Sequence, residues 1–174
     1  MNAVLAYVSD SDSRLFGRLQ GWTPPRWFRA WMLLATRLAD GWIYAALALL
    51  LAFQGGRGRR VLAAGCAAAS LANLLLVAVK RRVRRPRPCE LAPHLRFAVQ
   101  PPDRWSFPSG HSLNAFVVGT LVALAFPTSA PLVLLLSASV ATSRVVLGMH
   151  FVSDVVAGSL LGALIGAGTY LWLC

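Results

Sequence analysis

Apolar stretches separated by short basic or proline-rich joints run along the chain from about residue 38 to its end, each near the length a helix needs to cross a bilayer. The first extends from about Leu38 to Gln54, with Asp40-Gly41 near one end and Arg57, Arg59 and Arg60 just past the other. Val61 to Val79 gives 19 residues without a charge, ending at Lys80. A third begins after Ser109-Gly110 and continues to about Phe126; Pro127 and Pro131 bracket a turn before a fourth that ends near Leu147; the last runs from His150 to about Leu173. The expected fold is therefore all-α: a polytopic membrane helix bundle with five crossings, or six if residues 26 to 38 insert. Small residues on the second and fifth stretches, among them Ala64, Gly65, Ala68, Ser70, Gly158, Gly162 and Gly166, allow close helix approach.

The N-terminal part is patterned differently. Residues 11 to 22 form an interfacial helix that Ser11, Asp12 and Ser13 can cap, with Leu15, Phe16, Leu19 and Trp22 on one face and Arg14 and Arg18 in water. Thr23-Pro24-Pro25 breaks it. A second segment carries Trp27 and Trp31 one turn apart and keeps Arg26, Arg29 and Arg37 within reach of headgroups. The chain thus divides into an interfacial, amphipathic segment, 1–37, and a membrane core, 38–174. Met1 to Asp10 lacks both a basic leader and the apolar run of a cleavable signal, so insertion is expected to rely on the later spans.

Composition agrees with a membrane protein: hydrophobic residues make up 57% of 174. Lys and Arg number 17 against 6 acids, a formal charge of +11, which in a soluble chain would point to nucleic acid. Here the cations lie beside apolar stretches, where they meet lipid headgroups or anionic substrates, and no nucleic-acid partner is expected. Cys66, Cys89 and Cys174 make no paired framework.

Residues 80 to 107 form a polar, proline-rich connection with eight Lys or Arg and two acids, longer than loop closure requires. Within it Lys80 is followed after six residues by Arg87-Pro88, so two cations at fixed separation can face one anion. The alternative is a snorkelling cluster of Lys80, Arg81, Arg82, Arg84 and Arg85. Pro108-Ser109-Gly110-His111 opens an apolar helix, whose first N–H groups and dipole suit phosphate, and His111 can donate a proton near neutral pH. In Ser143-Arg144…His150…Asp154 the last two residues stand at i and i+4, so a helix starting at about His150 lets the carboxylate hold one imidazole nitrogen and leaves the other free to attack. Arg144 and Asp154 could instead be an ion pair tying two helices together.

Alternating crossings put all three strings on one membrane face. They bring three cations, a helix N-terminus, two histidines and a carboxylate together, with no cluster suited to zinc and too few carboxylates for a two-metal centre, so no metal or cofactor is expected. Phosphoryl transfer through a phosphohistidine uses every member.

In these strings the chain resembles the type 2 phosphatidic acid phosphatase superfamily, whose motifs K-x6-RP, PSGH and SR-x5-H-x3-D are matched by Lys80/Arg87/Pro88, Pro108 to His111 and Ser143/Arg144/His150/Asp154. The resemblance implies a metal-independent phosphatase in which His150 attacks phosphorus, Asp154 orients it and His111 protonates the leaving oxygen. Lys80, Arg87, Arg144, Ser109 and the Gly110 amide would hold the phosphoryl oxygens. Vanadate should then occupy the site as a phosphate mimic, as in the related haloperoxidases.

A site at a membrane face suits a lipid phosphate: polyprenyl phosphate or diphosphate, phosphatidylglycerol phosphate or phosphatidic acid. Arginines 81, 82, 84 and 85 favour a diphosphate mildly. The rivals are a transporter or binder that holds the same anions without chemistry, and a haloperoxidase. Resemblance implies a bacterial inner membrane with the site facing outward, whereas charge counting points to the cytoplasm: 14 Lys or Arg on the N-terminal and site side against three, Arg57, Arg59 and Arg60, opposite. The oligomeric state is not legible in the sequence.

Overall fold

The computed structural model describes residues 3–91 and 103–174, and among these every regular element is helical. Helices α1 (Ala3–Gln20) and α2 (Arg26–Leu38) precede the apolar α3 (Trp42–Phe53) and the long α4 (Gly55–Val83). A short α5 (Pro88–Leu91) follows, then α6 (Gly110–Ala125), α7 (Ala130–Val146) and α8 (Val152–Leu173). Residues 92–102 of the 80–107 connection, with Arg96, lie outside the described residues.

The apolar residues of the bundle point both ways. Helix α6 is central and packs on α8, α7 and α4. Its Leu113, Val117 and Leu121 are buried against Ala68, Ala72, Val61 and Ala64 of α4. Leu74, Leu164, Leu171 and Trp172 are exposed, a surface that water would not tolerate and lipid does. Glycines set the α6–α8 distance: a Cβ at Gly158 would stand 2.6 Å from the Ser109 carbonyl oxygen, and Gly162 and Gly166 press equally closely on the carbonyls of Leu113 and Val117. Gly65, expected to pack likewise, faces open space, and Ser70 is exposed.

Length departs from the expected five or six crossings. Three helical units are long and apolar enough to cross a bilayer: that containing α4, the run Pro127–Val146 ending in α7, and α8. The pair α2 and α3, bent by 58°, makes a fourth, and α6 is an apolar helix of only 16 residues. The bend falls where Asp40 and Gly41, the latter at φ 137°, interrupt the apolar run. At the far end of α3, α4 starts at Gly55 with no real loop, so Arg57, Arg59 and Arg60 sit on its first turns. Arg57 donates to the carbonyl of Ala125 at the end of α6 and lies 5.3 Å from the Phe126 ring.

The N-terminal helix also differs from expectation. It is already helical from Ala3, so Ser11, Asp12 and Ser13 do not cap it; Asp12 lies mid-helix and is buried. Phe16 meets Phe151 edge-on at 5.9 Å. In α2, Met32, Ala35 and Thr36 are buried at helical spacing while Arg26, Arg29, Arg37 and Trp27 stay outside, as the amphipathic pattern predicts.

Candidate active site

Four helix ends converge on one polar cluster, beginning at the exit of α4. Lys80 lies in the last turn, Arg84 ends the helix in the left-handed region at φ 52°, and Pro86 and Pro88 keep the chain from continuing as helix. This returns Arg87 towards Lys80, and Asp103 joins them. Lys80 Nζ reaches both carboxylate oxygens of Asp103 at 2.9 and 2.8 Å and the Trp105 carbonyl at 3.0 Å; Arg87 donates to the Asp103 carboxylate and main-chain carbonyl, each at 2.8 Å. Burial pushes the Asp103 carboxyl up, but hydrogen bonds from Lys80 and Arg87 and their charge outweigh it and hold it below the usual range.

From α7, Arg144 enters the same cluster. Its carbonyl accepts the amides of Met149 and His150 at 3.0 and 3.1 Å, closing a turn that Gly148 permits at φ 74° and that folds His150 back over Arg144. Arg87, Arg144 and His150 are each 1% exposed. Arg87 Nη1 donates to the Met149 carbonyl at 2.9 Å and lies 3.0 Å from His150 Nε2. A guanidinium can only donate, so Nε2 accepts through its lone pair and the imidazole proton sits on Nδ1, assigned from this bonding pattern. Burial first, with the charges of Arg87 and Arg144, drives His150 down to about 4 against the opposing pull of Asp154.

Helix α8 starts at Val152, so His150 precedes it rather than sharing its face with Asp154. The two still meet, with Nδ1 3.6 Å from Oδ2, longer than a hydrogen bond. Asp154 is fully buried and held by the Ser106 hydroxyl, the Phe151 amide at 2.9 Å and Arg85 Nη1 at 2.8 Å. Its ion pair is therefore with Arg85 and not with Arg144. Arg85 also bonds Ser153 and Asp12, both at 2.8 Å, and lies 4.1 Å from the Phe151 ring. Arg81, Arg82 and Arg84 are exposed.

Ser109 is the N-cap of α6. Its Oγ accepts from the Ser112 hydroxyl at 2.9 Å and faces the Ser112 amide, while its own amide donates to the Asp154 carbonyl at 3.0 Å. The next amides, Gly110 and His111, belong to the first helical turn, which has no intrahelical acceptor. His111 Nε2 is 2.8 Å from Asp40 Oδ1, and both histidines lie within Coulombic range of Arg87 and Arg144. Arg144 bonds Thr36 of α2 through Nη1, and its buried Nε finds no protein partner among the described residues.

All eight residues singled out from the sequence are thus gathered at one end of the bundle. Missed were Asp12, Thr36, Asp40, Arg85, Asp103 and Ser106, which hold them. One signal pointed that way: the chain has only six acids, and four of them, Asp12, Asp40, Asp103 and Asp154, stand here.

A family model described as PAP2 superfamily matches residues 60–173. A decaprenylphosphoryl-5-phosphoribose phosphatase from Mycobacterium tuberculosis is 39% identical over 127 residues, 73% of this chain and 68% of that protein. The protein of the same name from Mycolicibacterium smegmatis is 43% identical over 118 residues, 68% of this chain and 62% of its own. The crystal structure of a transmembrane PAP2 type phosphatidylglycerolphosphate phosphatase from Bacillus subtilis superposes with TM-score 0.75 at 23% identity, covering 95% of this chain and 86% of that one. Aquifex aeolicus LpxE gives 0.74 at 24%, covering 90% and 92%. These two likenesses speak to the fold.

Proposed function

The chain belongs to the PAP2 superfamily and is a membrane phosphatase that hydrolyses phosphoric monoesters; on that premise we propose that it dephosphorylates a lipid through a phosphohistidine formed on His150. The observation that carries the mechanism is the buried trio of Arg87, His150 and Asp154, with an imidazole lone pair turned to a cation and its N–H turned to a carboxylate.

In the first step Nε2 of His150 bonds to phosphorus and the phosphorus–oxygen bond to the lipid breaks. His111 gives its proton to the leaving oxygen. Positive charge appears on the His150 ring, and Asp154, immobilised by Ser106, Arg85 and the Phe151 amide, stabilises it. Lys80, Arg87 and Arg144 hold the phosphoryl oxygens, with the unpartnered Nε of Arg144, the Ser109 hydroxyl proton and the Gly110 amide completing the set. In the second step His111 takes a proton from water, the water oxygen bonds phosphorus, the Nε2–phosphorus bond breaks and inorganic phosphate leaves.

The substrate we favour is a monophosphate ester on a polyprenyl-type lipid, the class that the mycobacterial relatives' names describe. A diphosphate is less well supported, because Arg85 is spent on Asp12, Ser153 and Asp154. We take the bundle to lie in a bacterial inner membrane, crossed by α4, α7 and α8, the helices long and apolar enough to span it, with residues 1–37 at the interface. The site faces outward in this reading, as the resemblance implies, against a charge count that still leaves ten Lys or Arg on that side and three opposite once the inward-drawn Lys80, Arg85, Arg87 and Arg144 are set aside.

His150→Ala should abolish phosphate release from a lipid phosphate, His111→Ala should lower it by about 10²- to 10⁴-fold, and EDTA should change nothing. Radiolabelled substrate should leave an acid-labile label on the wild type and none on His150→Ala. Persistent turnover by purified His150→Ala would reject the nucleophile.

A further inference from the structure

Helix α1 meets the start of α8 at two points. Asp12, buried in the middle of α1, accepts from Arg85 Nη2 at 2.8 Å, from the Ser153 amide at 3.1 Å and from the Ser153 hydroxyl. One turn further along, the buried Phe16 packs edge-on against the Phe151 ring, on which Arg85 also rests. Phe151 is the N-cap of α8 and has no side-chain acceptor to offer, so the carboxylate of Asp12 takes up an amide that the helix start leaves unpaired. Arg85 is thereby shared between two acids, Nη2 lying on Asp12 and Nη1 on Asp154. The side chains of Asp12, Arg85 and Asp154 are 7%, 16% and 0% exposed, so water screens little of what they exert on one another.

Resting on the phosphohistidine reading above, we propose that Asp12 is a positioning residue for the reaction, acting through Arg85 on Asp154 and so on the His150 ring. Two carboxylates around one guanidinium leave a net negative charge beside His150. When Nε2 bonds phosphorus the ring becomes positive, and that net charge stabilises it. With the charge of Asp12 removed, the ring faces a neutral pair. The hold is also directional: drawn towards Asp12, Arg85 reaches Asp154 Oδ1 with Nη1 alone, and Oδ2 stays with Ser106, the Phe151 amide and His150 Nδ1. Released from Asp12, the guanidinium can turn both prongs onto Asp154 and pull Oδ2 from the ring.

Asp12→Asn keeps the shape and an oxygen for the Ser153 amide but not the charge. On a lipid monophosphate in detergent micelles and on p-nitrophenyl phosphate it should lower kcat by about threefold to thirtyfold, with KM nearly unchanged. The two losses should match, because the ring becomes charged whichever ester is cleaved. A loss confined to the lipid would mean that α1 only seats substrate or membrane, and overturns the proposal, as does an unchanged kcat. In Arg85→Met the Asp12 carboxylate has already lost its guanidinium, so adding Asp12→Asn should cost nothing further; losses that multiply would show that Asp12 does not act through Arg85. Phe16→Leu loosens the second contact and leaves every charge in place, so it should lower the melting temperature and keep kcat. An equal fall in kcat there would make docking of α1, and not the charge of Asp12, the operative property. Asp12→Glu, which retains the charge on a longer stem, should stay nearer the wild type than Asp12→Asn; the reverse order refutes the role of charge. If the wild type hydrolyses neither substrate, or purified His150→Ala still turns over, the phosphohistidine reading falls and takes this role with it.

Discussion

Replacing Arg85 separates a residue that holds Asp154, the carboxylate proposed to stabilise the His150 ring, from one that grips substrate. In Arg85→Met three hydrogen bonds of 2.8 Å disappear, two of them to carboxylates, together with the cation–π contact to the Phe151 ring, while the side chain's volume largely remains. Arg85 is only 16% exposed, so screening by water discounts little. A hydrogen bond to a charged group contributes about 1.5–3 kcal/mol, and Asp154 keeps Ser106 and the Phe151 amide. The loss felt at Asp154 corresponds to roughly ten- to hundredfold in kcat, because the carboxylate matters most when the His150 ring becomes charged. KM should barely move. Steady-state kinetics on a lipid monophosphate and on the matching diphosphate read both parameters, and Arg85→Lys, which keeps the charge but not the fork, should recover only part of kcat. A rise in KM confined to the diphosphate, with kcat intact, would show Arg85 binding a second phosphate and overturn the positioning role.

Four other outcomes follow from the geometry. With His150 lowered to about 4, its nucleophilic neutral form persists well below pH 6.5, so the acid limb of kcat/KM, corrected for substrate ionisation, should fall near 4; a limb at 6.5 would contradict the burial. Because this folded value lies below the unfolded one, the matching stability is present above about pH 6.5 and lost as pH falls towards 4; the thermal midpoint of wild type should drop more over that window than that of His150→Gln. Asp40→Asn, which weakens the hold on His111, should slow alkyl phosphates about tenfold while sparing p-nitrophenyl phosphate, whose leaving group needs little protonation; equal slowing would deny His111 the role of acid. Gly158→Ala should cost about 1–3 kcal/mol and displace Ser109, read as a lower melting temperature together with a lower kcat; an unchanged melting temperature would mean α6 and α8 are not locked at that level.

The eight motif residues were legible because short-range covalent spacing carries them: a helix exit, a helix start and a seven-residue turn each deliver their groups whatever the rest of the chain does. Their meeting at one end of the bundle was legible too, since each string stands at a helix end. Helix ends were less so. Asp40-Gly41 was visible inside the first apolar stretch, yet only the packed structure makes it a 58° bend and sets α6, 16 residues long, among α4, α7 and α8.

What the tertiary structure alone decided is which residues hold the motif side chains. Asp12 reaches Ser153 across 141 positions, Thr36 reaches Arg144 across 108, and Asp40 reaches His111 across 71. No periodicity encodes such pairs. A buried carboxylate or guanidinium must find an opposite charge or a hydrogen-bond partner wherever packing brings one, and in a chain so poor in acids that requirement draws α1, α2 and the turn before α3 into the site.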